Sequence, residues 1–427
     1  MISKIRNSII LKKISLLFIG RVYSILIGMI SSVVMVRYLK PELNGVYNYA
    51  IAYVAIFSGI ALMGLDNVVI KEFARKGNTK HEVFTASILV RLLGTSIAFL
   101  VILLTMIIGK VTKENQLLIW IAALPCIANI FSGVSGWFYA RTEVRYIVIS
   151  QSIAHTICLF GKMACVYIGL GVAGFLVVTS LETFVLILLQ WLIFKNRGER
   201  VEFSFNKTVF MYLLRQGWPI CLGSIAYTVF MKIDQIMIGK MISNYELGIY
   251  SVAVKIAELW YFVPNTIVVV LLPKLTEYRE NGDYNKFYGA MQKYMSWLVL
   301  LGYISSGLTM VFGKMLIWIL YGEEYLGAYP ILCIYIWAGI FINMSVLRGN
   351  YFVLMECTQY SFWTNLSGAI VNIFLNIVLI QKMGSIGAAF ATFISYGVYA
   401  YISSMIIPRL RKMGGIQTKA LLLSKIK

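Results

Sequence analysis

A chain of 427 residues is long enough for two or three soluble domains, but 59% of its residues are hydrophobic, only 13% are charged and the mean hydropathy is +0.79. Soluble chains carry roughly 25% charged residues, so a string of soluble domains is excluded. The net charge of +20 is spread over short segments, without the compact basic domain that grips a nucleic-acid backbone.

Apolar runs of about 20–25 residues recur along the chain, each sufficient to cross ~30 Å of hydrocarbon at 1.5 Å per residue. They lack the alternation of barrel strands, so an all-α membrane protein is expected. Lys4, Arg6, Lys12 and Lys13 precede the first run as in a signal sequence. That run, 14–38, is too long for one and has no small-residue cleavage site, so it reads as an uncleaved span. Further spans follow at 46–70, 83–108, 116–138, 147–168, 171–194, 216–240, 248–272, 287–312, 328–348, 359–380 and 384–407, about twelve in all. Two stretches have the pattern of helices lying in the membrane interface. One carries Ile2, Ile5 and Ile9, and the other, Asn206 to Gln216, carries Val209, Phe210 and Leu213. The expected organisation is a six-helix bundle over 1–195, a linker over 196–215, a second six-helix bundle over 216–407 and a basic tail over 408–427.

Lys and Arg decide the orientation. With the N-terminus inside, inner segments hold 25 of them and outer loops 7, which places both termini in the cytoplasm. Six cysteines are scattered without a CxxC pair and read as small packing residues. Two separated histidines offer no metal constellation, there is no P-loop for nucleotide, and the longest loop is too short for a catalytic domain. The chain is therefore read as a transporter and not an enzyme.

The two halves repeat at an offset near 203 residues: Gly45-Val46-Tyr47 meets Gly248-Ile249-Tyr250, and Lys71 meets Lys274. Later the offset grows to about 213, where Gly171, Gly174 and Thr179 meet Gly384, Gly387 and Thr392. An even number of spans per half makes the repeat parallel, a common transporter plan. The stretches Glu42-Leu43-Asn44-Gly45-Val46-Tyr47-Asn48-Tyr49-Ala50, Asp234-Gln235-Ile236-Met237-Ile238-Gly239 and Glu246-Leu247-Gly248-Ile249-Tyr250-Ser251, followed by Pro273, resemble the Wzx-type polysaccharide-transport flippases. These belong to the multidrug/oligosaccharidyl-lipid/polysaccharide exporter superfamily. The resemblance implies a V-shaped fold with a central cavity, in the bacterial cytoplasmic membrane. It implies that undecaprenyl-pyrophosphate-linked oligosaccharide is flipped for O-antigen or capsule assembly, with a polysaccharide polymerase and a chain-length regulator as partners. No cofactor is implied beyond a coupling proton or sodium ion. The alternative is a cation-coupled multidrug or small-solute antiporter of the same superfamily.

Ionisable residues at membrane depth are costly and usually face a cavity or one another. Arg21, Arg91, Lys162, Lys232 and Lys255 are the candidate lining of a cationic cavity that receives a pyrophosphate, because a guanidinium can donate two parallel hydrogen bonds to phosphate. Lys293 reads as a snorkelling residue at a span end. Asp66, Glu182, Asp234 and Glu258 are candidates for ion coupling or for pairing with those cations. The pairing alternative joins Arg21 to Asp66, Lys255 to Glu258, and Lys232 or Lys255 to Asp234. His155 reads as a buried, satisfied histidine rather than a proton relay. Pro125, Pro219 and Pro264 lie within spans, and Pro264 is a candidate hinge or static kink. Trp218, Tyr250, Trp318 and Tyr321 are assigned to interfacial belts.

Overall fold

A computed structural model describes residues 2–75 and 80–424, with side chains from residue 19 onward except Arg21. The side chains of Ile2, Ile5, Ile9 and Arg21 therefore lie outside the described residues. The chain divides into two units, one of Met1–Leu39 with Ala50–Thr228 and one of Lys40–Tyr49 with Val229–Lys427.

The helices in order are α1 (Ile2–Leu62), α2 (Asp66–Ala74), α3 (Lys80–Ile108), α4 (Lys113–Asn129), α5 (Gly133–Ala140), α6 (Val144–Ile168), α7 (Val172–Asn196) and α8 (Lys207–Met241). There follow α9 (Asn244–Leu259), α10 (Phe262–Glu280), α11 (Tyr284–Tyr321), α12 (Ala328–Tyr335), α13 (Ala338–Leu354), α14 (Gln359–Gly397), α15 (Ser403–Ile406) and α16 (Arg411–Leu421). Among the described residues nine helical stretches are long and apolar enough to cross a membrane, or ten when α4 and α5, bent by 44°, count as one. Two stretches, 22–74 and 359–406, are 53 and 48 residues long, each sufficient for two crossings. The first breaks at Lys40 (φ 57°) before Pro41 and again before α2, the second at Gly384 (φ 61°); taking the Lys40 and Gly384 breaks as turns between crossings brings the spans to twelve. Proline lacks the amide donor and crowds the residue before it, so α1 changes direction there.

Several boundaries differ from the sequence-based expectation. The second span stops at Leu62, because Met63 (φ 52°) and Gly64 (φ 61°) turn left-handed, and α2 is a separate helix starting at Asp66. Asn206 to Gln216 does not form an isolated interfacial segment. It runs into α8, with Val209 and Leu213 buried against Val69, Val83 and Val90 of the first unit. The loop at 348–358 is shortened, since α13 continues to Leu354 and carries Arg348 into the interior. The eighth span breaks at Trp260–Tyr261, so Pro264 lies in the first turn of α10, where a missing amide donor is tolerated. Tyr250 and Tyr321 are buried, whereas Trp218 and Trp318 are about half exposed. Part of the tail forms α16, whose Met413, Ile416 and Ala420 pack on α11 while Arg411, Lys412 and Lys419 stay outside.

In the second unit the segment 40–49 packs on the start of α9. The Asn44 side-chain amide donates to the Gly248 carbonyl and to Ser251 Oγ, each at 3.0 Å. A Cβ on Gly45 would lie 1.7 Å from the Asn244 carbonyl oxygen, and one on Gly248 would lie 1.9 Å from that of Pro41. The two copies of the Gly-x-Tyr repeat thus touch backbone to backbone. Gly45→Ala and Gly248→Ala are each expected to lower stability by about 1–3 kcal/mol, because carbonyls, unlike side-chain tips, cannot swing aside. Gly289→Ala on α11, where a Cβ meets nothing within 4 Å, should be neutral or stabilising. Thermal unfolding of the three purified variants checks the order.

Candidate functional site

A cleft of about 570 Å³ opens in the first unit, lined by Leu62, Asp66, Asn67, Val69, Ile70, Arg91, Asn129, Ser132, Ser135, Gly136 and Tyr139. Four features of the chain build it. The turn after α1 places Asp66 on the first residue of α2, where a carboxylate complements the helix dipole. Gly94 lets α3 lie against that turn; a Cβ there would be 2.5 Å from the Ile60 carbonyl oxygen. This close approach brings Arg91, one turn earlier on α3, level with Asp66. The α4–α5 break at 130–132 supplies the opposite wall, with Ser132 Oγ donating to the Asn129 carbonyl at 2.7 Å.

The Arg91 side chain is 2% exposed and donates from Nη2 to Asp66 Oδ1 at 2.8 Å, whereas the Asp66 side chain is 65% exposed. Nε and Nη1 of Arg91 are buried and make no hydrogen bond. A buried cation needs both a counter-charge and acceptors for its remaining donors. Here the counter-charge is present and two of the donors are unanswered. Around the pair stand neutral hydrogen-bonding groups, Asn67, Asn129, Ser132 and Ser135, together with the exposed ring of Tyr139. Ser135 is already committed, donating to Gln190 Oε1 at 2.5 Å.

Among the described residues, Arg91 is the one cation singled out from the sequence that lines this cleft; the Arg21 side chain lies outside them. Asp66 pairs with Arg91, and the alternative pairing of Asp66 with Arg21 falls on a side chain outside the described residues. Lys162 is buried on α6 one and two turns beyond Cys158 and His155, and all three gather near Glu182 of α7. His155 Nδ1 is 2.5 Å from Glu182 Oε1. In the second unit Lys232 lies 3.8 Å from Glu258 and close enough to Asp234 to act on it electrostatically. The buried Asp234 carboxylate accepts from the Tyr250 hydroxyl and from the Gln235 amide at 2.7 Å. Lys255 is half-buried, one turn before Glu258 on α9, and Lys293 is exposed on α11.

Sequence reading assigned Arg348 to a loop, yet it is 1% exposed. Its Nη1 donates to the carbonyls of Tyr399 and Ala400, at 2.5 and 3.2 Å, and to Ser403 Oγ at 2.9 Å. The guanidinium also lies 4.6 Å from the Tyr399 ring centre. Those carbonyls belong to a single π-helical turn, Val398–Ile402, where wider winding frees acceptors. Asn129 and Ser132 were missed as well, hidden inside an otherwise apolar run. Their signal is the polar-glycine cluster Asn129 to Gly133, which marks a break.

A family model described as polysaccharide biosynthesis protein matches residues 10–279. The chain belongs to that family. Capsular polysaccharide biosynthesis protein CapF of Staphylococcus aureus is 23% identical over 388 residues, covering 90% of this chain and 96% of CapF. The probable flippase AglR of Haloferax volcanii is 26% identical over 212 residues, 46% of this chain and 41% of AglR. The inward closed structure of lipid II flippase MurJ has a TM-score of 0.70 at 17% identity, over 95% of this chain and 90% of that one. An inward-facing MATE family multidrug resistance transporter of the MOP superfamily gives 0.76 at 14%, over 92% and 96%. At such identities the likeness is one of fold: the all-α exporter-superfamily fold of a multi-pass membrane protein. Of these, AglR and MurJ are named as flippases and the MATE protein as a transporter.

Removing each buried arginine separates the two environments. Arg348→Ala strands several buried acceptors and is expected to cost about 3 kcal/mol or more. Arg91→Ala leaves behind only an exposed, hydrated carboxylate and should cost clearly less. Thermal unfolding in detergent checks this; a larger loss for Arg91→Ala would contradict it.

Proposed function

We propose that this protein is a flippase for a lipid-linked glycan, an oligosaccharide carried on undecaprenyl pyrophosphate. On this reading it moves the substrate from the cytoplasmic to the outer leaflet of the bacterial inner membrane by alternating access, for O-antigen or capsule assembly. The observation that carries the proposal is Arg91, a buried guanidinium with two unanswered donors beside a cleft. Diphosphate oxygens are acceptors of the geometry a guanidinium fork matches. The amides of Asn67 and Asn129 and the ring of Tyr139 suit the hydroxyls and apolar faces of a sugar. Membership of the polysaccharide biosynthesis family supports the substrate class. So do the names of CapF, a capsular polysaccharide biosynthesis protein, and AglR, a probable flippase. The excess of Lys and Arg in alternate segments supports cytoplasmic termini and a cleft, adjoining the basic segments 71–82 and 139–146 along the chain, that faces the cytoplasm.

A second reading, a cation-coupled multidrug or small-solute antiporter, is favoured by the exposed Asp66 carboxylate, an available cation ligand. A coupling proton or sodium ion fits either reading.

Reconstitution tests the proposal. Proteoliposomes loaded with a fluorescent undecaprenyl-pyrophosphate oligosaccharide in both leaflets are treated with a membrane-impermeant quencher. Protein should raise the quenched fraction from about half toward completion, and Arg91→Ala should slow that approach at least tenfold. A wild-type protein that leaves the inner half protected, yet exchanges organic cations for protons or sodium, would transfer the function to the antiporter reading.

A further inference from the structure

Among the described residues, Asp66 and Arg91 are the only formally charged side chains in the cleft lining, and their charges cancel. Their environments are unequal. Arg91 is enclosed, and its helix is held against the 60–63 turn by the close approach at Gly94. Asp66 stands mostly in the open cleft, on the first turn of a short helix, tied to the guanidinium through Nη2 and Oδ1. A hydrated carboxylate can rotate away at small electrostatic cost, whereas a buried guanidinium cannot leave its site.

We propose that Asp66 is a resident counter-anion that occupies the Arg91 site until a diphosphate displaces it, and that this exchange selects polyanions over monoanions. This deepens the flippase reading and rests on it. The reasoning is a comparison of charge and acceptor number. A monoanion replacing Asp66 trades one negative charge for one and gains little. A diphosphate brings more than one charge and several oxygens, enough to take Nη2 from Asp66 and to add further negative charge beside a guanidinium whose Nη1 and Nε have no other partner among the described residues. Asp66 returns as the diphosphate departs, so the cation is never left bare.

The experiment measures calorimetric binding to the full-length protein in lipid nanodiscs. Farnesyl diphosphate represents a lipid headgroup, inorganic pyrophosphate the free anion, and acetate a monoanion. Asp66→Asn is expected to bind both diphosphates at least tenfold more tightly than wild type, since a like charge beside the site is removed. It should also acquire measurable affinity for acetate, which wild type lacks. Farnesyl diphosphate binding more tightly than pyrophosphate would identify the lipid as the source, and equal affinities the free anion. Asp66→Asn/Arg91→Ala should bind no better than Arg91→Ala. If Asp66→Asn is unstable alone, pyrophosphate should restore its unfolding temperature; failure of that rescue would show Asp66 to be a structural partner and overturn the exchange. Affinity unchanged or weakened in Asp66→Asn, with binding still lost in Arg91→Ala, rejects the exchange and leaves the flippase reading standing. Diphosphate affinity unaffected by Arg91→Ala removes the cleft reading itself, and the exchange with it.

Discussion

A cation held out of water has to be answered by charge, by dipoles, or by a ligand that arrives later. The buried and half-buried cations of this chain show different answers. Lys232 is answered by Glu258, and Lys162 sits in a group that contains Glu182. Arg348 has no carboxylate in its hydrogen-bonding shell; it is held by the carbonyls and hydroxyls of a π-helical turn and by an aromatic face. Arg91 is answered incompletely, by one exposed carboxylate. Arg348 also keeps one donor, Nε, without a partner among the described residues, so what distinguishes Arg91 is its place on the wall of an open cleft.

The same contrast explains the shape of the second unit. Arg348 is not merely tolerated there. Its guanidinium occupies carbonyls that the π-turn would otherwise leave unbonded in a non-aqueous setting, and the Gln417 side chain of α16 donates to one of them, at 2.8 Å from the Ala400 oxygen. A buried Arg, a widened helical turn and the packing of the C-terminal helix are therefore one device. Leaving out any member strands the hydrogen-bonding groups of the others.

The spans and their broken helices were largely legible in the sequence. Apolar length reports how deep a segment goes, and turn residues such as Gly169 and Pro41 report where it stops, although the stop at Gly64 is passed over. What hydropathy does not report is which face of a helix looks where. Asp66 had Arg21 as its candidate partner in the pairing alternative; its contact with Arg91 depends on the close approach at Gly94, a residue with no side chain to signal it. Arg348 was misplaced for a related reason: a charge near the end of an apolar run looks like loop unless its acceptors, here 51 to 55 residues away, are known. The repeat was legible as similarity, while its consequence, backbone contact between Gly45 and Gly248 segments, depends on tertiary structure.

Fold alone does not choose between a glycan flippase and a drug antiporter, since MurJ and a MATE transporter superpose comparably well on this chain. Side-chain chemistry has to choose. A site for organic cations needs a fixed negative charge, and a site for a diphosphate needs a fixed positive one. The cleft holds one of each, so the formal sum is uninformative, and burial breaks the tie. The guanidinium is enclosed by packed helices, whereas the carboxylate stands in the solvent-facing opening with its orientation set mainly by that guanidinium. What persists when the pair separates is a positive charge with donors to spare, which is the electrostatics that the proposed anion site requires.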